Sequence, residues 1–155
     1  MEYLVRAARV TDIDRVVALS DASVQVSRAD SPLGAADLMR QLVYLPQASI
    51  VVAEAQRVVV GGAILALRPS VRAGGYVGTV DLLVVGPTAD AEAVTEVLLE
   101  EVLRSAANKG CASVEAPRPD DPTERARWEI RGFNELGPLM GRTLAPAGAG
   151  GRRTR

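Results

Sequence analysis

Tyr76-Val77-Gly78-Thr79-Val80-Asp81-Leu82-Leu83-Val84-Val85, halted by Gly86-Pro87 and followed from Ala91 to Lys109 by a helical pattern, is the stretch that decides the fold. The β-branched run reads as a strand, and Gly-Pro ends it because proline lacks an N–H for a ladder. Val94, Leu98 and Val102, flanked by Leu99, Leu103 and Ala106, form one helical stripe, with Gly110 as the stop. Ala112 to Ala116 then reads as a short strand, which makes a strand, helix, strand unit.

On the N-terminal side, Ser49–Glu54 and Val58–Leu67 are β-branched runs separated by Ala55-Gln56-Arg57, the pattern of an antiparallel hairpin. Gly61 and Gly62 inside the second run predict a bulge or a close backbone approach. Arg68 to Gly75 reads as a loop. Leu4 to Arg9 is a strand candidate, and Thr11 with Asp14 predicts a helix from Asp12 to about Ser20 that buries Ile13, Val16 and Val17. Asp21 to Pro32 has no period and reads as a loop, whereas Ala35, Leu38, Met39, Leu42 and Val43 have the spacing of a second helix.

Beyond the decisive unit, Asp121-Pro122-Thr123-Glu124 sets an acidic N-cap, a proline at the first helical position and a glutamate at N3, so a helix runs to about Arg131. Leu136 to Leu144 is the final strand candidate. Ala145 to Arg155 carries no apolar pattern and reads as a disordered tail behind one domain of residues 1–144. The order β-α-α-β-β-β-α-β-α-β implies an α/β fold, a mixed sheet with helices on both faces.

Composition limits the chemistry. The 155 residues contain no histidine, which excludes Ser-His-Asp and Cys-His catalysis and His-ligated metals. A formal charge of −1 gives no electrostatic footprint for nucleic acid or an anionic membrane. All but Lys109 of the 18 basic residues are arginine, which with abundant Ala and Val points to GC-rich coding. The single Cys111 forbids an intrachain disulfide, and no run approaches about 18 apolar residues. Met1-Glu2-Tyr3 lacks a leader's basic and apolar regions, so the expected compartment is the cytoplasm.

Ordered landmarks carry a family resemblance: Val5-Arg6-Ala7-Ala8 with Thr11-Asp12-Ile13; Val52-Ala53-Glu54 leading to Val60-Gly61-Gly62-Ala63; Leu82-Leu83-Val84-Val85-Gly86-Pro87 before Leu98-Leu99; and Asp121-Pro122 leading to Trp128-Glu129-Ile130-Arg131-Gly132-Phe133. In that order they resemble the GCN5-related N-acetyltransferase (GNAT) superfamily over Leu4 to Leu144. The resemblance implies a central, mostly antiparallel sheet with splayed strands, and transfer of an acetyl group from acetyl-CoA to an amine without a covalent enzyme intermediate. It also implies that backbone amides of Leu83, Val84 and Val85 hold the thioester arm, and that the pyrophosphate meets the N-terminus of the following helix.

The family's phosphate loop falls on Asp90-Ala91-Glu92-Ala93-Val94-Thr95 and departs from its pattern. Asp90 stands where a glutamine or arginine belongs, and Ala93 and Thr95 replace small, mostly glycine positions. A carboxylate about 5 Å from a phosphate charge, at an effective dielectric near 20, costs about 3 kcal/mol before screening. The same acids equally suit a helix N-terminus, with Thr88 or Asp90 as N-cap. Trp128 occupies the position of a tyrosine that in relatives protonates the departing thiolate; indole cannot do so, and packing the last helix is its other reading.

Asp81 stands where the resemblance places a base that takes the amine's proton through water; the alternative is a partly solvated strand acid, sharing a face with Leu83 and Val85 if the residues alternate. Tyr76 is a further candidate acid, and Cys111 reads as a small buried residue. Two functions follow. One is an N-acetyltransferase acting on a small-molecule or peptide amine, a homodimer by resemblance, with no metal, nucleic acid or membrane. The other is a catalytically inactive GNAT-fold binding or regulatory protein.

Overall fold

A computed structural model of the chain describes residues 2–20, 34–87, 89–137, 140 and 142. Its five strands are β1 (Leu4–Ala7), β2 (Ala48–Ala55), β3 (Val58–Ser70), β4 (Gly75–Val85) and β5 (Cys111–Glu115), and its helices are α1 (Ile13–Ser20), α2 (Ala35–Leu42), α3 (Ala91–Asn108) and α4 (Pro122–Ile130). The sheet order follows the chain, β1-β2-β3-β4-β5, antiparallel throughout except for the parallel β4–β5 pair. The one parallel pair is the one joined by a helix, as a crossover requires.

Helices cover both faces. On one side α3 and α4 bury Val94, Leu98, Leu99, Val102 and Trp128 against Ala53, Ala63, Leu65 and Val80. On the other, Ile13 and Val16 of α1 and Met39 of α2 pack on Ile50, Val52, Ile64 and Val84. Strand alternation sorts these residues, since 63 and 65 face one layer and 64 the other.

Local chemistry shapes the elements. Gln56 and Arg57 form the β2–β3 turn with φ of 51° and 67°, the left-handed pair that matches the twist of a tight hairpin. The expected helix cap at Thr11 moves two residues earlier: the Asp12 carboxylate accepts from the Arg9 N–H at 2.7 Å, and a single 3-10 turn over Val10–Asp12 precedes α1. In α4 the Asp121 carboxylate accepts from the N–H groups of Thr123 and Glu124, both at 3.4 Å, as the sequence pattern requires. The hairpin strands extend farther than the periodicity suggested, β3 to Ser70 with β4 starting at Gly75, so Val71–Gly74 alone make the turn.

Both expectations at Gly61-Gly62 are met. Ala53 pairs with Gly61 but Glu54 with Val59, so Val60 is an extra residue on β3. A Cβ on Gly61 would lie 2.7 Å from Val94 Cγ1 and 2.9 Å from the Val84 carbonyl oxygen, so glycine sets how closely α3 approaches the sheet.

The final strand expected at 136–144 is not found among the described residues of that span: Leu136, Gly137, Met140 and Arg142 lie outside any strand, and Leu136 and Met140 are exposed. In sequence, Gly137, Pro138 and Gly141 interrupt the apolar run, a composition that weakens a strand. The expected loop Asp21–Pro32 and tail 145–155 lie outside the described residues.

Arg6 ties the N-terminal edge together. Its guanidinium donates from Nε to Glu54 Oε2 at 2.6 Å and to both Asp12 oxygens at 2.8 and 3.1 Å, linking β1, β2 and the turn before α1. These hydrogen bonds from Arg6, with that from the Arg9 N–H, hold the Asp12 carboxyl below its ordinary value of 3.8 against the opposing effect of burial. A lowered native value contributes stability fully above the unfolded value and loses it as pH falls through the native one. Arg6→Met is therefore expected to cost about 2 kcal/mol near neutrality, with the deficit shrinking below pH 3.8, as denaturant titration across pH would read. In the same assay Gly61→Ala is expected to cost about 1–3 kcal/mol through overpacking. Gly75→Ala, whose Cβ meets nothing within 4 Å, should shift stability by about 0.5 kcal/mol or less.

Candidate functional site

β4 is where the sheet opens. Its pairing with β3 runs from Ser70↔Gly75 to Gly61↔Val85, whereas its pairing with β5 covers only Tyr76↔Cys111 to Thr79↔Glu115. After Glu115 the chain enters Ala116-Pro117-Arg118-Pro119, and neither proline has an N–H with which to continue a ladder. From Val80 onward β4 thus presents an edge with no strand partner among the described residues, toward the side from which β5 has departed.

A bulge stands at the opening. Leu65 pairs with Val80 and Ile64 with Leu82, leaving Asp81 as the extra residue on β4. Its effect on parity is visible in the packing, because Val80 faces α3 while Leu82 faces α1, although residues two apart in an unbroken strand share a face. Regular alternation from Val80 therefore does not run through this point. Asp81 is exposed, at the mouth of the opening.

Beyond the bulge the register fixes the direction of each amide. The Gly86 N–H donates to the Val60 carbonyl of β3 at 2.7 Å. Strand alternation then aims the Val84 N–H at β3 and the N–H groups of Leu83 and Val85 at the open edge. The Leu83 and Val85 side chains are half-buried against the α3 layer, and Val84 is buried against α1.

No protein-family model and no curated protein matches this sequence. Solved structures do match over nearly its whole length. A transcriptional regulator from Bacillus halodurans C-125 superposes with a TM-score of 0.75 at 17% identity, covering 92% of this chain and 100% of that one. An acetyltransferase from Trypanosoma brucei gives 0.71 at 20% identity, with 92% and 100% covered. An aminoglycoside N-acetyltransferase in complex with CoA gives 0.72 at 17%, with 91% and 98% covered. The chain has the GNAT fold.

Within the GNAT frame, α3 begins just past the end of β4, and its first turn carries the residues that the resemblance assigns to phosphate. Asp90 is the N-cap, and its carboxylate accepts the Ala93 N–H at 3.2 Å. Ala91 and Ala93 are half-buried and Glu92 is exposed. Val94 is buried against Gly61, and Thr95 is buried with a hydroxyl that has no partner among the described residues, closed off from any ligand outside. Glu96 pairs with Arg131 at the end of α4. No lysine or arginine occurs from Gly86 to Glu100.

The residues present thus fit the two ends of an acetyl-CoA molecule unequally. The open β4 edge offers amides to a thioester arm. The start of α3 offers a diphosphate one N–H already taken by a carboxylate, the exposed Glu92, and methyl groups where glycine would allow backbone approach. Of these acids Asp90 caps the helix, and Glu96 is paired with Arg131.

Trp128 is likewise a packing residue, buried in the α3 layer and edge-on to Phe133 with ring centroids 5.0 Å apart. Tyr76 is exposed, at the start of the β4–β5 pairing and away from the opening. Cys111 is half-buried under Gly78, where a Cβ would lie 3.5 Å from its Sγ. The sequence reading missed Glu115, the last paired residue of β5, whose carboxylate meets Arg68 at 3.5 Å. The signal was available in Pro117, which fixes where β5 stops pairing. Among the described residues no group of three or more metal-ligating side chains assembles, and no helix is long and apolar enough to cross a membrane.

Removing the Asp90 cap by Asp90→Ala is expected to lower stability by about 1 kcal/mol, read as a shift in denaturant midpoint. An unchanged midpoint would show that its carboxylate is not engaged by the helix in solution.

Proposed function

We propose that the chain is an N-acyltransferase that moves an acetyl group from an acetyl thioester, acetyl-CoA in the first instance, to an amine of a small molecule or peptide. The observation that carries this reading is the opening of β4 from β5 beyond Thr79, with Asp81 bulged at its mouth and the Leu83 and Val85 amides facing inward. The likeness to a CoA-bound aminoglycoside N-acetyltransferase supports it at the level of the fold.

The chemistry asked of these groups is modest. The acceptor arrives as an ammonium, drawn by the exposed carboxylate of Asp81, which takes its proton through a water. The free nitrogen attacks the thioester carbonyl carbon, a C–N bond forms, and the charge that develops on oxygen is met by an N–H of the β4 edge. The C–S bond then breaks as the carbonyl re-forms, and the second proton of the attacking nitrogen passes through water to the departing thiolate. A thiol with a pKa near the cysteine value of about 8.5 leaves without a protein acid, which accommodates a Trp128 that is committed to the core.

Asp81→Asn should lower turnover tenfold or more while thioester affinity, measured by calorimetry, stays within twofold. An unchanged rate would remove Asp81 from the mechanism. The second reading, a GNAT-fold binding protein without catalysis, is favoured by the carboxylate-capped α3 N-terminus. It stands if neither acetyl-CoA nor S-acetylpantetheine gives heat, a thermal shift or acetyl transfer to any of a panel of amines.

A further inference from the structure

We propose that this chain recognises its donor through the pantetheine arm alone, so that a nucleotide-free S-acylpantetheine serves it at least as well as acetyl-CoA. The inference rests on the acyl-transfer reading above and specifies the donor of that reaction.

The two ends of the donor path carry opposite signals. At the arm end, β4 leaves N–H groups of Leu83 and Val85 without a strand partner among the described residues, and an amide-bearing arm laid along that edge supplies carbonyls to accept from them. At the diphosphate end, the cap carboxylate of Asp90 already accepts the Ala93 N–H. Glu92 is exposed with no ion pair among the described residues. Glu96 alone of the three acids is answered, by Arg131, and this engages that guanidinium. Leu19 of α1 approaches Gly86, and the arginine one turn earlier on that helix, Arg15, donates from Nε to the Val59 carbonyl at 3.2 Å.

Among the described residues, a diphosphate placed here adds negative charge beside two carboxylates that no cation pairs, and the two nearby guanidiniums, Arg15 and Arg131, already have partners. A donor that ends before the diphosphate meets neither penalty. The transfer is otherwise the same: the amine nitrogen bonds to the acyl carbon, the C–S bond breaks, and the pantetheine thiol departs with one proton.

The test compares kcat/KM for S-acetylpantetheine and acetyl-CoA with one acceptor amine on the full chain. Calorimetry with 3′-phosphoadenosine 5′-diphosphate, the nucleotide half of CoA, is run alongside. Expected are a rate constant for S-acetylpantetheine equal to or above that for acetyl-CoA, and no heat from the nucleotide at millimolar concentration. Glu92→Lys, an exposed change that leaves the cap in place, should raise the preference for acetyl-CoA over S-acetylpantetheine about tenfold. A preference of the unaltered chain for acetyl-CoA of threefold or more, heat on adding the nucleotide, or a donor ratio indifferent to Glu92→Lys would each overturn the proposal. Absence of transfer from both donors would instead overturn the acyl-transfer reading beneath it.

Discussion

A strand has two hydrogen-bonding edges, and among the described residues β4 uses one along its length but the other only from Tyr76 to Thr79. An N–H removed from water without a partner costs as much as a lost hydrogen bond, so an edge that opens inside a fold must face solvent or a ligand. The arrangement depends on what happens to β5. Its ladder ends at Glu115, two residues before the first of two prolines, and β4 continues toward α3 without it. The Asp81 bulge falls at the same place, so the strand changes facing where its neighbour departs.

Gly61 fixes the other boundary of the opening. Because it has no Cβ, Val94 and Leu98 of α3 settle directly on β3, and the N-terminus of that helix comes to lie beside the end of β4. Helix dipole and free N–H groups would make such a terminus an anion site in a glycine-rich chain. Here the same terminus is satisfied internally by Asp90 and bordered by Glu92. The two halves of the path therefore belong to different physical regimes, an unpaired backbone edge and a carboxylate-screened helix end, and the donor proposal follows from that contrast.

Much of the frame was legible in the chain. The α3 stripe, the Asp121-Pro122 helix start, the hairpin around Gln56-Arg57 and the dual role of Gly61-Gly62 are local patterns whose physics acts within a few residues, and the structure reproduces them. The mixed sheet with helices on both faces followed from the order of elements. Two points were not legible there. The apolar run at 136–144 is interrupted by glycines and a proline, and its described residues lie outside any strand. The facing of Asp81 was conditional on regular alternation, and a bulge intervenes at that residue. Hydropathy records which residues prefer burial and is silent about which backbone groups find partners.

The sequence by itself determined the elements, their order, the absence of imidazole chemistry and the acids at the start of α3, because composition and periodicity act locally. Only the tertiary structure decided that Trp128 is spent in the core, that Asp81 is the residue squeezed out of register, that Asp90 caps rather than waits, and that Glu115 stands at the mouth of the opening. Each of these depends on which strand or helix a residue meets across the fold. That pairing is set by long-range register and packing, which no window of the sequence contains.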